Sequence, residues 1–248
     1  MRIPRVFYDG ALEAGNSLAM NKEQVHYLGN VLRLKAQRQL VLFNGQGGEY
    51  LCQISELDRR QGVINVLSFR NADVESTPDI CLALSLSKGD RFDWAIQKST
   101  ELGVARVQPL FSARSEVRLT DERLDKKLGH WRGVLRSASE QSGRTRVPDL
   151  EVPLPFSEWV NEDKAACKLL LDPEAEVSLA SQENDLFSVS DISLLVGPEG
   201  GFDDQEIEHA RGQGYLCTHI GPRVLRTETA PIAALAFIQA ITGNWDHD

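Results

Sequence analysis

The sequence predicts an α/β protein in which a small, mostly β-stranded unit precedes a larger parallel sheet covered by helices. Two observations lead to this prediction. The first 70 residues contain four short runs rich in Val, Ile, Leu, Phe and Tyr, and turn signals separate these runs. From Ile80 onward, apolar runs of strand length alternate with helical patterns, and this alternation is typical of a parallel sheet with helices on both faces.

The N-terminal unit is predicted to contain strands at residues 5–9, 39–44, 49–57 and 63–69. One helix interrupts them, because Asn21 is a favourable N-cap and Gln24 stands at the third helical position. Residues 71–79 carry no large apolar side chain except Val74 and include a proline, which is typical of a linker. We therefore expect one domain over residues 1–72 and a second over residues 73–248.

The second domain is predicted to alternate strands and helices. The strands are expected at 80–86, 104–111, 167–171, 192–196 and 215–220, and the helices at 92–102, 120–141, 203–211 and 232–241. The last helix is apolar over most of its circumference, so it fits either a buried core helix or a dimer interface. Ligands of parallel sheets bind outside the carboxyl ends of the strands. This rule directs attention to the segments after Leu171, Val196 and Ile220.

The formal net charge of −9 is unevenly distributed. Residues 88–146 hold 13 Lys and Arg against 8 Asp and Glu, whereas residues 147–248 hold 5 against 19. A local basic face for a phosphate backbone is therefore compatible with the acidic total. Four cysteines without a CxxC pair argue against zinc and a disulfide scaffold, so we expect no metal. With neither a signal peptide nor a membrane span predicted, we expect a cytoplasmic protein.

Two glycine-bearing loops follow predicted strands. The first is Gly-Pro-Glu-Gly-Gly-Phe at residues 197–202, and the second is Gly-Pro-Arg-Val-Leu-Arg-Thr-Glu-Thr-Ala-Pro at residues 221–231. Glycine lets a backbone approach a ligand closely. Each loop alone is an ordinary strand-to-helix turn, but together they favour a binding crevice. The chain has no Walker motif, no complete GxGxxG and no HExxH, so nucleotide hydrolysis and zinc-dependent hydrolysis have no support.

Four segments carry a resemblance to a known family: KGDRFDWAIQKSTELGV (88–104), SASEQSGR (137–144), LLVGPEGGF (194–202) and HIGPRVLRTETAP (219–231). Together they resemble the ribosomal RNA small subunit methyltransferase E family of the SPOUT class. Residues 26–50 resemble the PUA-like β-barrel of that family, so the similarity covers nearly the whole chain. The resemblance implies a C-terminal trefoil knot that binds S-adenosylmethionine, and a homodimer. It also implies methylation of N3 of a uridine in 16S rRNA, as part of ribosome biogenesis.

Arg226 and Glu199 are the candidate catalytic residues. Loss of the uridine N3 proton leaves negative charge on the base, and a fixed cation such as Arg226 would stabilise that charge. The alternative for Arg226 is an ion pair with Glu228 or Glu199. Glu199 could take the proton, but it could equally cap a helix or bind the cofactor. Glu140 and Arg144 stand four residues apart and form either a local ion pair or part of a shared active site.

Two further groups of residues are predicted to bind ligands. The cofactor candidates are the backbone and apolar groups of Leu171, Val196, Gly197, Gly201, Ile220, Gly221, Val224 and Leu225. The RNA candidates are Arg5, Arg33, Lys35, Lys88, Arg91, Lys98 and Arg144, although each alone is compatible with an ordinary surface charge. Two other functions remain open. One is another SPOUT reaction, such as ribose 2′-O methylation, and the other is a non-catalytic RNA-binding factor for ribosome assembly.

Overall fold

The computed structural model of the chain describes residues 3–72, 74–117, 120–186 and 189–242. The chain divides into two compact units. The N-terminal unit contains the residues up to Glu75 together with Ser139–Val147, and the C-terminal unit contains Ser76–Ala138 and the residues from Pro148 onward. The short segment Ser139–Val147 therefore groups with residues that lie far from it in sequence.

The N-terminal unit is built around a five-stranded sheet with the order β1-β3-β4-β5-β2. The strands are β1 (Arg5–Phe7), β2 (Ser17–Met20), β3 (Gln39–Phe43), β4 (Glu49–Leu57) and β5 (Gly62–Arg70). Only β1 and β3 pair in parallel, whereas the other neighbours are antiparallel. Alternate residues of the strands, such as Leu40, Leu42, Ile54 and Ile64, are buried in one apolar core.

Helix α1 (Lys22–His26) begins at the predicted cap. The Asn21 side chain accepts a hydrogen bond from the Gln24 amide, and the Gln24 side chain accepts one from the Asn21 amide, so the predicted capping box is present. The helix continues into a single π-helical turn, Tyr27–Val31. Strand β2 was not predicted from the sequence, because its four residues carry only a weak alternating pattern.

The C-terminal unit is an eight-stranded parallel sheet with the order β11-β13-β10-β12-β6-β7-β8, in which β9 also pairs with β7. The strands are β6 (Asp79–Ser85), β7 (Arg106–Phe111), β8 (Asp149–Leu150), β9 (Leu154–Pro155), β10 (Cys167–Leu171), β11 (Val177–Ser178), β12 (Asp191–Val196) and β13 (Leu216–His219). The predicted parallel sheet is confirmed.

Helices connect these strands. They are α2 (Arg91–Glu101), α3 (Asp121–Ser142), α4 (Phe156–Glu162), α5 (Glu183–Leu186), α6 (Asp204–Gly212) and α7 (Thr229–Ile241), with a 3-10 turn at Leu179–Gln182. Asp90 is the N-cap residue of α2, but its side chain makes no capping hydrogen bond. No helix in the described part of the chain combines the length and the apolar character that crossing a bilayer requires.

The core of this unit lies on both faces of the sheet. On one face, Ala83, Leu170 and Leu195 pack with residues of α4 and α6 in a single apolar cluster. Helix α7 packs against α2 and β12, and its Leu235 and Ile238 are fully buried. Of the two interpretations of this apolar helix, the structure supports a core helix for the buried face. A dimer interface on its remaining surface stays a prediction.

Candidate active site

A cavity of about 440 Å³ lies at the carboxyl ends of three neighbouring strands, β10, β12 and β13. Its wall includes every residue that the sequence suggested for cofactor binding, together with both catalytic candidates. These are Leu171, Val196, Gly197, Gly201, Ile220, Gly221, Val224, Leu225, Glu199 and Arg226. The fold thus brings the two glycine loops to one place, although their contacts with a cofactor stay a prediction.

The first loop, residues 197–203, connects β12 to α6. It turns through a hydrogen bond of 2.9 Å from the Gly201 amide to the Pro198 carbonyl, and Gly201 has a φ of +67°, in the left-handed region that favours glycine. The guanidinium of Arg114 donates to the carbonyl oxygens of Gly200 at 2.7 Å and Phe202 at 3.2 Å. Because these contacts hold its backbone, the loop presents a defined wall to the cavity.

A side chain at Gly197 would be crowded by the backbone of its own loop. A Cβ atom at this position would lie 3.1 Å from the Phe202 nitrogen and 3.2 Å from the Gly201 carbonyl carbon. Both of these neighbours are backbone atoms, so they could yield only if the loop itself shifted. Close approach of backbone to backbone is therefore the reason for glycine at the start of this loop.

The second loop, residues 220–228, connects β13 to α7. The Gly221 amide donates to His219 Nδ1 at 3.0 Å, and the carbonyl of Arg226 accepts from the amides of Thr229 and Ala230 as α7 begins. The hydroxyl of Thr227 donates to the carbonyl of Gly197 at 2.7 Å. This buried hydrogen bond joins the second loop directly to the first.

Charged side chains line one part of the cavity. Glu199 forms an ion pair with Arg91, at the start of α2, and not with Arg226. Arg226 lies 3.9 Å from Glu228, measured from Nη1 to Oε1, and its side chain is 79 % exposed. The guanidinium of Arg226 is therefore loosely paired and open to an incoming group.

Two polar atoms of the cavity wall are buried without a partner. The hydroxyl of Thr218 and the Oε2 atom of Glu228 make no hydrogen bond with any residue that the structure describes. A buried polar atom without a partner destabilises a fold by about 1–3 kcal/mol. Both residues line the cavity, so a ligand bound there would lie next to them.

Comparison with known proteins gives the cavity a family context. Residues 75–239 match the RNA methyltransferase domain family, and residues 21–67 match the RNA methyltransferase PUA domain family. The ribosomal RNA small subunit methyltransferase E of Buchnera aphidicola is 32% identical over 98% of this chain and 98% of its own length. The enzyme of the same name from Bacillus subtilis is 31% identical over 92% of this chain and 91% of its own. The chain belongs to the ribosomal RNA small subunit methyltransferase E family.

Solved structures agree with this assignment. The methyltransferase E of Neisseria gonorrhoeae, crystallised with S-adenosylmethionine, is 33% identical, with a TM-score of 0.90 over 97% of this chain and 98% of its own. A Legionella pneumophila protein, described as a methyltransferase and also solved with this cofactor, is 37% identical, with the same TM-score and coverage. The SPOUT-type sheet and the PUA-like domain expected from the resemblance are confirmed, whereas the knot stays a prediction.

The residues suggested for RNA binding differ in their surroundings. Arg5 is largely buried in the methyltransferase E fold, where it pairs with Glu49 and donates to the Arg144 carbonyl at 2.8 Å. Arg144 is also buried and binds Glu75 through two donors at 3.0 and 2.5 Å. Both side chains therefore hold the N-terminal unit together, and this use favours a structural role over contact with RNA.

The other RNA candidates have at least partly exposed side chains. Arg33 and Lys35 are exposed in the loop that follows the π-helical turn. Lys88 pairs with Glu116, and Lys98 pairs with Glu101 at 2.8 Å on the surface of α2. Exposed ion pairs of this kind contribute little to stability, so a phosphate group can replace the carboxylate at small cost.

Glu140 and Arg144 do not form the expected local pair. Glu140 instead accepts hydrogen bonds from the Phe7 amide at 3.0 Å and from the Tyr27 hydroxyl at 2.6 Å. Helix α3 ends where these contacts form, so its last turn becomes part of the N-terminal unit. The spacing of four residues along a helix predicted an ion pair between Glu140 and Arg144. Each of them instead binds residues that are distant in sequence.

Some residues of the site were not singled out from the sequence. The cavity is also lined by Thr218, Thr227 and Glu228. Arg91 lies at its edge, although the sequence suggested this residue only for RNA binding. The motif at residues 219–231 contained Thr227 and Glu228, but no pattern in it indicated that one would bridge the loops and the other would keep an unpartnered oxygen. Such properties depend on the packing of two loops that are some 25 residues apart.

Two buried cysteines are poor candidates for nucleophilic chemistry, and the described residues offer no cluster for a metal ion. Burial raises the pKa of the Cys52 and Cys81 thiols to about 11, so both stay protonated at neutral pH and are poor nucleophiles. Within the described ranges, no cluster of three or more His, Cys, Asp or Glu side chains could hold a metal ion.

Proposed function

We propose that this protein transfers a methyl group from S-adenosylmethionine to N3 of a uridine in the 16S rRNA of the small ribosomal subunit. The observation that carries the proposal is the cavity between the two glycine loops, in a chain whose family relatives include one solved with S-adenosylmethionine. A substrate in the small subunit would place the enzyme in the cytoplasm.

The residues of the cavity fit S-adenosylmethionine. A volume of about 440 Å³ lies within the range of about 300–1,000 Å³ found for small-molecule sites. Leu171, Val196 and Leu225 offer apolar walls, and the unpartnered Thr218 hydroxyl offers a polar contact. Gly197 lets the first loop pack closely enough to form the wall. When bound, this cofactor supplies an electrophilic methyl group on a sulfonium that leaves as a neutral thioether.

The residues of the chain have two tasks in this reaction. They must align the base with the methyl group, and they must stabilise the charge that the base acquires when it loses its N3 proton. Arg226 suits the second task, because its exposed guanidinium lies at the cavity wall with only a long contact to Glu228. Glu199 suits a positioning task, because its ion pair fixes Arg91 at the edge of the same cavity.

The RNA is proposed to contact exposed cations of both units. Arg33 and Lys35 belong to the segment that matches the PUA family, and Lys88, Arg91 and Lys98 belong to or directly precede α2. The protein is further proposed to act as a homodimer.

The proposal is tested by mass analysis of 16S rRNA nucleosides from cells with and without this protein. We expect N3-methyluridine at one site in the first sample and its loss in the second. A loss of a 2′-O-methylated nucleoside instead would identify a different methyl acceptor. Unchanged nucleosides, together with no S-adenosylmethionine binding by the purified protein, would favour a non-catalytic RNA-binding factor.

A further inference from the structure

Glu228 differs from the other carboxylates at the cavity in its surroundings. It is the N-cap residue of α7, yet its side chain makes no capping hydrogen bond with the helix that it precedes. Its side chain is only 15 % exposed, and it lines the cavity. The backbone amides of the first turn of α7 therefore do not occupy the Glu228 carboxylate.

The two oxygens of Glu228 are unequal. Oε1 lies 3.9 Å from the guanidinium of Arg226. Oε2 is buried, and no described residue donates a hydrogen bond to it. The fold therefore leaves the carboxylate of Glu228 short of hydrogen-bond donors. An N–H group of a base bound in the cavity, which Glu228 lines, would supply one.

Glu199 is less suited to accept a proton. Its side chain is 39 % exposed, and its carboxylate is bound by Arg91. The oxygen that accepts from the Arg91 guanidinium is already engaged in that contact. Glu228 has no such close partner, since its nearest described cation is the more distant guanidinium of Arg226.

We infer that Glu228 is a catalytic residue that accepts the N3 proton of the target uracil, with Arg226 beside it to stabilise the resulting anion. This inference rests on the proposed function. The N3–H bond breaks, and the proton goes to the carboxylate of Glu228. The electron pair left on N3 forms the bond to the methyl carbon, and the electrons of the breaking carbon–sulfur bond stay on the sulfur, which becomes neutral. Glu228 afterwards loses its proton to solvent.

This assignment explains why one loop carries both charges. Arg226 and Glu228 are two residues apart at the start of α7, so a single backbone conformation places the base and the anion-stabilising group together. The hydrogen bond from Thr227 to the Gly197 carbonyl fixes the residue between them. A carboxylate in this position can act as a general base, and general base catalysis contributes roughly 10²–10⁴-fold to a rate.

The test compares Glu228→Gln with wild type in single-turnover methyl transfer to small subunits that lack the modification. Glutamine keeps the size and the polarity of the side chain but accepts no proton. We expect the rate to fall by roughly 10²–10⁴-fold at neutral pH. Calorimetry should show nearly unchanged S-adenosylmethionine affinity, and thermal melting should show an intact fold. Glu208→Gln, on the exposed surface of α6, removes the same charge away from the cavity and should react at the wild-type rate.

The decisive comparison varies the acidity of the substrate. Subunits whose rRNA contains 5-fluorouridine present a more acidic N3–H, so they depend less on a base. The rate deficit of Glu228→Gln relative to wild type should be smaller on this substrate. It should also become smaller as the pH rises, because hydroxide then replaces the missing carboxylate. A deficit that is the same on both substrates and at every pH would overturn the assignment. A loss of cofactor affinity as large as the loss of rate would also overturn it, because Glu228 would then be a cofactor ligand.

The same assay separates this inference from the function on which it rests. Wild-type protein that forms N3-methyluridine while Glu228→Gln reacts equally fast would refute the role of Glu228 and leave the proposed function standing. Wild-type protein that binds S-adenosylmethionine but forms no N3-methyluridine would refute both. A fluorouridine-sensitive deficit in Glu199→Gln, without one in Glu228→Gln, would assign the proton to Glu199 instead.

Discussion

At the scale of single residues, the hydroxyl of Thr227 holds the candidate site together. It donates a buried hydrogen bond of 2.7 Å to the carbonyl of Gly197, and this bond connects two loops that contribute opposite parts of the cavity wall. A hydrogen bond of this kind contributes about 1 kcal/mol, and removing the donor leaves the carbonyl without its buried partner.

Thr227→Val keeps the shape of the side chain and removes the hydroxyl. We expect stability to fall by about 1–2 kcal/mol, and S-adenosylmethionine affinity to fall several-fold because the two loops can then separate. Thr242→Val is the matched control, since its hydroxyl donates to the Ile238 carbonyl at 2.8 Å near the end of α7. The control should lose similar stability and keep its cofactor affinity, as measured by denaturation and calorimetry. Equal affinities in both variants would argue against a bridging role for Thr227.

Arg226→Lys tests the residue proposed to stabilise the anion. Lysine keeps the positive charge but loses the planar, fixed set of donors, so the change is not conservative here. We expect the single-turnover rate to fall by roughly a hundredfold or more, with much smaller changes in cofactor and RNA affinity. A higher pH should restore part of the rate. If the rate falls only in proportion to RNA affinity, Arg226 positions the substrate and does not stabilise the anion.

Residue-scale properties were the hardest to derive from the sequence. The motifs indicated which residues meet at the cavity, because strand ends of a parallel sheet converge. They did not indicate that Arg5 and Arg144 would be buried, since the partners of these residues, Glu49 and Glu75, lie some 40 and 70 positions away. The position of a charged residue in the sequence does not show which residue it pairs with in the folded protein.

At the scale of elements, the loop from β12 to α6 shows why glycine is required at a particular position. The backbone of the loop folds back so closely that a Cβ on Gly197 would crowd the backbone of Gly201 and Phe202. Arg114 holds the far side of the same loop through two carbonyl oxygens. The loop is thus fixed from both sides and cannot adjust cheaply.

Gly197→Ala should therefore displace the loop. We expect S-adenosylmethionine affinity to fall by about tenfold or more, which corresponds to about 1.4 kcal/mol. Gly212→Ala is the matched control, because an added Cβ at the end of α6 meets no atom within 4 Å. The S-adenosylmethionine affinity of both variants is measured by calorimetry. Wild-type affinity in Gly197→Ala would mean that the loop does not form the wall of the cofactor site.

Long elements were predicted well because each carries a repeated pattern. Strand β10 and strand β4 have the predicted bounds, and helix α3 differs from its predicted bounds by one residue at each end. Strands β8, β9 and β11 were missed, since two residues are too few to show an alternating pattern. Helix α4 was missed although Phe156, Trp159 and Val160 recur at helical spacing, because the flanking prolines interrupt the pattern.

At the scale of the whole molecule, negative charge and exposed cations are concentrated in different segments of the chain. Most of the acidic excess lies in residues 147–248, whereas exposed cations occur in the PUA-matching segment and around α2. The sequence predicted a boundary near residue 72 from a local change of composition. It could not predict that Ser139–Val147 would group with the N-terminal unit, because that grouping depends on contacts with Phe7, Tyr27 and Glu75.

The double substitution Arg33→Gln and Lys35→Gln tests RNA binding by the N-terminal unit. We expect weaker binding to small-subunit RNA. The slope of the logarithm of affinity against the logarithm of salt concentration should become shallower by about one for each phosphate that the protein no longer binds. The control, Arg59→Gln with Arg60→Gln, removes the same charge from an exposed turn between β4 and β5. Salt-dependent binding titrations compare the two. Equal losses of affinity in both double variants would indicate a general charge effect and no specific binding by Arg33 and Lys35.

The reaction proposed for this chain moves a methyl group from S-adenosylmethionine to N3 of a uridine in 16S rRNA. The most direct measurement incubates the purified protein with isotopically labelled S-adenosylmethionine and small subunits from cells that lack the protein. The rRNA is then digested, and the labelled nucleoside is identified by mass spectrometry. We expect a single labelled product, N3-methyluridine, which forms more slowly at limiting S-adenosylmethionine when the cavity is altered by Gly197→Ala. A label on a ribose 2′-oxygen or on another base, or no label despite bound cofactor, would rule out this reaction.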